Sequence, residues 1–127
     1  MNEVKRSTRV AERVRQELSM LLLTGSVRHP MASELVITHV RVTDDLSLAR
    51  VYIRLLDSNC PAPRREAAVS GLERAAGYLR AQIGKSLHMR RTPALEFFWD
   101  EVIDEARRIG RLLEEVRGEE NGDDSDE

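Results

Sequence analysis

The chain has 127 residues, of which 41% are apolar and 33% charged, with one cysteine and a formal charge of −2. That length fits a single domain able to bury roughly two thirds of its unfolded surface. A lone cysteine excludes an internal disulfide scaffold and fits a reducing compartment, and no apolar run approaches the roughly 20 residues of a membrane span.

The charge is unevenly placed. Residues 119–127 carry six acids and no base, and without them −2 becomes +4. A mildly basic body over residues 1–118 thus ends in an acidic tail that cannot bury apolar area and is expected to be disordered. Residues 1–7 are polar, lack the apolar core of a signal peptide and are expected to fray. Ser7 or Thr8 can cap a first helix running to about Leu23, with Val10, Val14, Leu18, Leu21 and Leu22 on its buried face and Gly25 as its stop. Arg6, Arg9 and Arg13 step by 3 and 4, so they line up beside that face.

Residues 24–33 read as a loop holding His29-Pro30; no second ligand stands at metal spacing, so His29 is taken as a loop histidine. Leu35 to Val42 alternates, with Val36, Thr38, Val40 and Val42 on one face and Ile37, His39 and Arg41 on the other. Thr43-Asp44-Asp45 is a turn. Leu48 to Leu56 alternates again, setting Ala49, Val51, Ile53 and Leu55 against Arg50, Tyr52 and Arg54. Two such runs joined by a short polar link predict an antiparallel hairpin. Its arginine face is expected to meet water, and the single Tyr52 offers little stacking surface. Cys60, between Asn59 and Pro61, has no basic neighbour and reads as an incidental thiol.

From Arg64 onward Val69, Leu72, Ala76, Leu79, Ile83 and Leu87 form one helical stripe. The small cluster Ala75-Ala76-Gly77 interrupts it, predicting a kink or a close backbone contact at Gly77. Lys85, His88, Arg90 and Arg91 follow near the helix end, which Thr92-Pro93 closes. Leu95 to Trp99 is a third strand, with Leu95, Phe97 and Trp99 on one face and Phe98 on the other. A last helix starts near Asp100, carries Val102, Ile103, Ala106, Ile109, Leu113 and Val116 as its apolar stripe, presents Glu101, Glu105, Arg107 and Arg111 to solvent, and stops at Gly118. The order α-β-β-α-α-β-α predicts an α+β two-layer sandwich with a three-stranded sheet.

Catalytic and cofactor signatures are missing: there is no phosphate loop, GxGxxG, CxxC or HExxH, and His29, His39 and His88 fall in three different elements. The reading is of a binding protein, not an enzyme, with no cofactor or metal. What remains is a basic surface: Arg80, Lys85, His88, Arg90 and Arg91; Arg6, Arg9 and Arg13; and Arg41, Arg50 and Arg54. Such donors suit a phosphate backbone, or else are only a solvated exterior.

The element order and the small-residue break resemble the KH fold in its bacterial arrangement, and more specifically the ribosome-binding factor A family. That family's hallmark is an Ala-x-Gly kink where ordinary KH domains carry a GxxG loop; here it is Ala75-Ala76-Gly77. Leu79-Arg80, Ile83-Gly84-Lys85, Pro93 with Leu95 and Phe97, Asp100, Asp45-Leu46, Ala49 to Ile53, Arg9-Val10-Ala11, Arg108-Ile109 and Leu112-Leu113 follow the family's pattern in order. Ala76 stands where relatives often have Ser, and Ala94 where many have Glu. The resemblance implies a cytoplasmic, non-enzymatic assembly factor, expected to be a monomer. Such a factor is expected to bind the free small ribosomal subunit through 16S rRNA, with ribosomal proteins as further candidate partners. It promotes late maturation, including that of the rRNA 5′ end, and matters most in the cold. Ala75, Ala76 and Gly77 then let an RNA backbone approach, with the cations above as its phosphate contacts. The competing readings are a general single-stranded RNA-binding KH module and a protein-interaction domain whose cations are only hydrated.

Overall fold

The first apolar stripe forms helix α1, Arg6–Leu23, which buries Val10, Val14, Leu18 and Leu22. The computed structural model describes residues 5–57 and 60–125. Lys5, with no side-chain cap bond, stands at the start of α1. The expected cap Ser7 is instead buried inside the first turn, its hydroxyl 3.5 Å from Asp44 Oδ1. A short 3-10 turn, Ala32–Glu34, leads into strand β1, Leu35–Val42, which pairs antiparallel with β2, Leu48–Leu55. After β2 come α2, Ala62–Arg74, and α3, Ala76–Leu87. Strand β3, Ala94–Trp99, then lies parallel to β2 at the sheet edge, giving the order β1-β2-β3.

The helices share one face of the sheet: α1 lies over β1, and α2 and α3 lie over β3. Ala49, Val51, Ile53 and Phe97 meet Val14, Leu18, Ala68, Leu72, Leu79 and Ile83 there, all at most 2% exposed. Each large side chain so removed from water contributes about 1.5–3 kcal/mol. The expected α+β two-layer architecture is therefore the observed one, and β3 places Leu95 and Phe97 inward with Phe98 outward.

Several details differ from the sequence reading. In β1 the pairing shifts between Ile37 and His39, leaving Thr38 as an extra residue. This bulge reverses the alternation, so Leu35 and Ile37 point inward before it and Val40 inward after it, while Val36 faces out. Thr38 is anchored by its hydroxyl, which lies 2.5 Å from Asp100 Oδ2 and 3.2 Å from the Tyr52 carbonyl. Helix α3 ends at Leu87, where His88 takes a left-handed conformation with φ 51°, before the Thr92-Pro93 boundary. The last helix, α4, spans Val102–Ser125 and continues through Gly118. Its apolar stripe faces outward: Val102, Ile109, Leu113 and Val116 are all exposed. Of residues 1–7, expected to fray, Arg6 and Ser7 are helical, while residues 1–4, the side chain of Ile103 and residues 126–127 of the tail lie outside the described residues.

Candidate nucleic-acid interface

The break between α2 and α3 sits at Ala75, two residues before the glycine expected to cause it. Ala75 has φ −90° and ψ 0°, the bridge conformation in which a helix tightens into a turn. Its N–H donates to the Leu72 carbonyl at 3.0 Å, and its own carbonyl accepts from Leu79 N–H at 2.9 Å. One residue thus ends one helix and begins the next. Ala75 and Ala76 pack half-buried against the core. Gly77 is exposed, and a Cβ built on it would meet nothing within 4 Å. No internal contact requires glycine there; the position leaves a bare patch of backbone at the surface, flanked by exposed Arg74 and by Tyr78, which is 47% exposed.

Further along α3, at Arg80, lies an open cleft of about 540 Å³. Its walls come from α1 (Arg6), the β1–β2 turn (Asp45 to Ser47), α3 (Arg80) and the loop before β3 (Met89 to Thr92), so Arg6, Arg80, Arg90 and Arg91 share one site. The frame is held by backbone and by close packing. Ala94 N–H donates to the Ser47 carbonyl at 2.9 Å, tying the loop to the turn. Arg80 donates through Nε and Nη2 to the Thr92 carbonyl at 3.0 and 2.8 Å. Gly84 makes room for that loop, since a Cβ on it would stand 2.7 Å from Thr92 Oγ1.

Asp45, the carboxylate in the cleft wall, is occupied by its own turn. The Thr43 hydroxyl, then the Ser47 hydroxyl and N–H, hydrogen-bond to it and hold its pKa below the ordinary aspartate value. Among the described residues Arg6, Arg90 and Arg91 have no ion-pair partner, so four arginines against the one carboxylate of Asp45 leave the cleft lining net positive. Arg9, Lys85 and His88 are placed on or just after the same two helices, outside the cleft lining.

Residues 6–113 match the family model described as Ribosome-binding factor A. The chain belongs to the ribosome-binding factor A family. A relative from Sorangium cellulosum carrying that description is 41% identical over 122 residues, covering 96% of this chain and 97% of its own. The crystal structure of ribosome-binding factor A from Thermus thermophilus superposes with a TM-score of 0.61 at 25% identity, over 73% of this chain and 93% of that one. A Thermus thermophilus ribosome binding factor A model fitted into the electron microscopy map of a 30S complex has a TM-score of 0.55 at 25% identity, over 71% of this chain and 90% of that one.

The other cations expected to contact RNA fall elsewhere in this family fold. Arg13 reaches Glu17 at 3.7 Å along α1. Arg41 and Arg50 stand opposite each other in the β1–β2 register on the sheet face away from α1, α2 and α3, and Arg41 lines a cleft with Val102 and Glu105 of α4. Arg54, expected to face water there, is only 6% exposed. It donates to both Asp104 oxygens at 3.0 and 3.1 Å and to the Asp100 carbonyl at 2.5 Å, and lies 5.0 Å from the centre of the Trp99 ring. The Arg54 guanidinium, with smaller help from Trp99 and Arg65, holds the Asp104 carboxyl down at about 2. Arg54 is thereby a clasp between β2 and the start of α4.

Sequence reasoning passed over two features, Tyr78 and an aromatic row on the sheet, and read His29 only as a loop residue. Tyr78 is readable as a lone aromatic beside the break. The bulge at Thr38 aligns His39, Tyr52 and Phe98 across the three strands, with ring centres 6.0 and 5.6 Å apart, a row that only pairing reveals. His29 is a packing residue: Met31 N–H donates to its Nδ1 at 2.9 Å, so Nε2 carries the proton and donates to the Ala68 carbonyl at 3.0 Å. Among the described residues no group of three His, Cys, Asp or Glu side chains is placed to hold a metal ion, and no helix is long and apolar enough to cross a membrane.

Proposed function

We propose that this chain binds the free small ribosomal subunit through 16S rRNA and promotes its late maturation, including that of the rRNA 5′ end, as a cytoplasmic, monomeric assembly factor without catalytic chemistry of its own. The observation that carries this reading is the gathering of Arg6, Arg80, Arg90 and Arg91 in one cleft, with the bare backbone of Gly77 about one helical turn before Arg80 on α3. Guanidinium groups without acidic partners suit phosphate oxygens, and exposed backbone lacking side chains lets a sugar–phosphate chain come close. The likeness to a ribosome binding factor A fitted in a 30S complex supports the choice of partner. Arg9, Lys85 and His88 extend the footprint, Tyr78 offers a ring for a base, and residues 1–118 act as the binding domain.

The test is the double variant Arg90→Gln/Arg91→Gln. Each phosphate contact removed lowers the slope of log affinity against log salt by about 0.7–0.9, so the variant should bind small subunits more weakly with a slope smaller by about 1.5. Unchanged affinity and slope would remove the cleft from the interface. A general single-stranded RNA-binding module would instead bind short RNA oligomers as tightly as subunits.

A further inference from the structure

A second cationic cleft lies at the opposite end of the sheet. It has a volume of about 690 Å³ and is lined by Arg65 of α2, Arg107 and Arg111 of α4, with Cys60, Asp104 and Glu114. From sequence alone, Arg107 and Arg111 read as a solvated helix face. The structure keeps both exposed and sets them in the lining of this cleft. Asp104 clamps the first turn of α4 through Arg54, through Arg65 at 3.8 Å and through Trp99 Nε1–H at 3.2 Å. Residues 104, 107 and 111 lie on one side of a helix, so this clamp turns Arg107 and Arg111 toward the start of α2.

Of the two acids present, Asp104 is committed to Arg54 and Arg65, and Glu114 offsets one positive charge. Arg65 also donates to the Cys60 carbonyl at 2.8 Å, whereas among the described residues Arg107 and Arg111 have no hydrogen-bond or ion-pair partner. Three arginines against two carboxylates leave the lining net positive. Helix α2 opens at this cleft with no side-chain cap, adding the positive end of its dipole. Between the two arginines stands Gly110, whose Cβ would meet nothing within 4 Å. A glycine inside a helix lowers its stability by about 1 kcal/mol relative to alanine, and no internal contact here calls for it. The combination of free guanidiniums around bare helix backbone repeats the chemistry of the first cleft.

We infer that the Arg65–Arg107–Arg111 cleft is a second phosphate-binding site for RNA, so that the domain grips rRNA at both ends of its sheet. This inference rests on the proposed RNA-binding function. Strand β3 starts beside the first cleft, where Ala94 bonds Ser47, and ends at Trp99, shortly before Asp104 of the second. Its six residues span about 20 Å, beyond the screening length of about 8 Å in physiological salt. The two sites therefore act independently on one ligand, and their losses should multiply.

The experiment uses the full chain carrying Arg107→Gln/Arg111→Gln, with Arg107→Lys/Arg111→Lys as the charge-preserving control and Arg90→Gln/Arg91→Gln alongside. Affinity and salt slope are measured on purified small subunits and on protein-free 16S rRNA. The expected result is about tenfold weaker binding to both, a salt slope smaller by about 1.5, and substantial recovery in the lysine variant. Wild-type affinity and slope in the Arg107→Gln/Arg111→Gln variant, while the Arg90→Gln/Arg91→Gln variant is impaired, would overturn the second site and leave the first standing. If both variants behave like wild type, the proposed RNA-binding mode falls with it. A loss seen with subunits but not with protein-free rRNA would overturn the RNA assignment and make a ribosomal protein the partner.

Discussion

Replacing Gly77 with alanine should raise stability and lower binding, two effects of opposite sign from one methyl group. Gly77 is helical, has no positive φ, and its Cβ would enter open space. Gly77→Ala therefore removes backbone entropy from the unfolded chain and creates no clash, stabilising the fold by about 0.5–1 kcal/mol. For a domain this size that is about 2–5 °C in Tm, readable in a thermal melt. The same methyl group stands where the partner's backbone is proposed to lie. Crowding a tight contact costs about 1 kcal/mol or more, so subunit affinity should fall about fivefold. Gly71→Ala is the control: its Cβ would sit 2.3 Å from Nε2 of the His29 ring, which is hydrogen-bonded at both nitrogens, so it should destabilise by about 1–3 kcal/mol. A lowered Tm in Gly77→Ala would show that the fold itself needs this glycine. Raised Tm with undiminished affinity would show that nothing approaches the bare backbone.

Two further predictions concern the clasp and the exposed ring. Because Arg54 holds Asp104 at about 2 against an ordinary 3.8, the pair contributes about 2 kcal/mol that is present above pH 4 and lost as pH falls toward 2. The stability gap between wild type and Asp104→Asn, followed by denaturant titration, should shrink across that window; a constant gap would contradict the clasp. Tyr78→Ala should leave the melt within about 0.5 kcal/mol of wild type, as for an exposed side chain, yet weaken subunit binding, with Tyr78→Phe retaining most of it if a base stacks there. Equal affinity in both variants would take the ring out of the contact.

Local pattern sufficed where a residue's fate depends on its own element. The α1 stripe, the alternation of β2 and the inward Leu95 and Phe97 follow from spacing alone. It failed where a distant partner decides. The bulge at Thr38 is held by Asp100, far along the chain, which accepts a hydrogen bond from its hydroxyl. Arg54 is buried because Asp104 stands opposite, and no window around residue 54 contains that acid. The break was legible as a small-residue cluster, but its position at Ala75 depends on a backbone angle any residue can adopt. Of the first cleft, Arg90 and Arg91 could be read as a local basic run. Their meeting with Arg6 across the β1–β2 turn is a product of the fold. Helix α4 carries an apolar stripe in its own sequence, yet it is anchored to the domain through Asp104 and leaves Val102, Ile109, Leu113 and Val116 exposed.

The central claim is that positive clefts bind this domain to the phosphates of the free small subunit. Sucrose-gradient sedimentation with separated subunits and whole ribosomes, at low and at high salt, tests it most directly. The account predicts co-migration with free small subunits at low salt, loss of that peak at high salt, and little protein on whole ribosomes. Protein remaining at the top of the gradient at both salts, or riding equally with every particle, would contradict it.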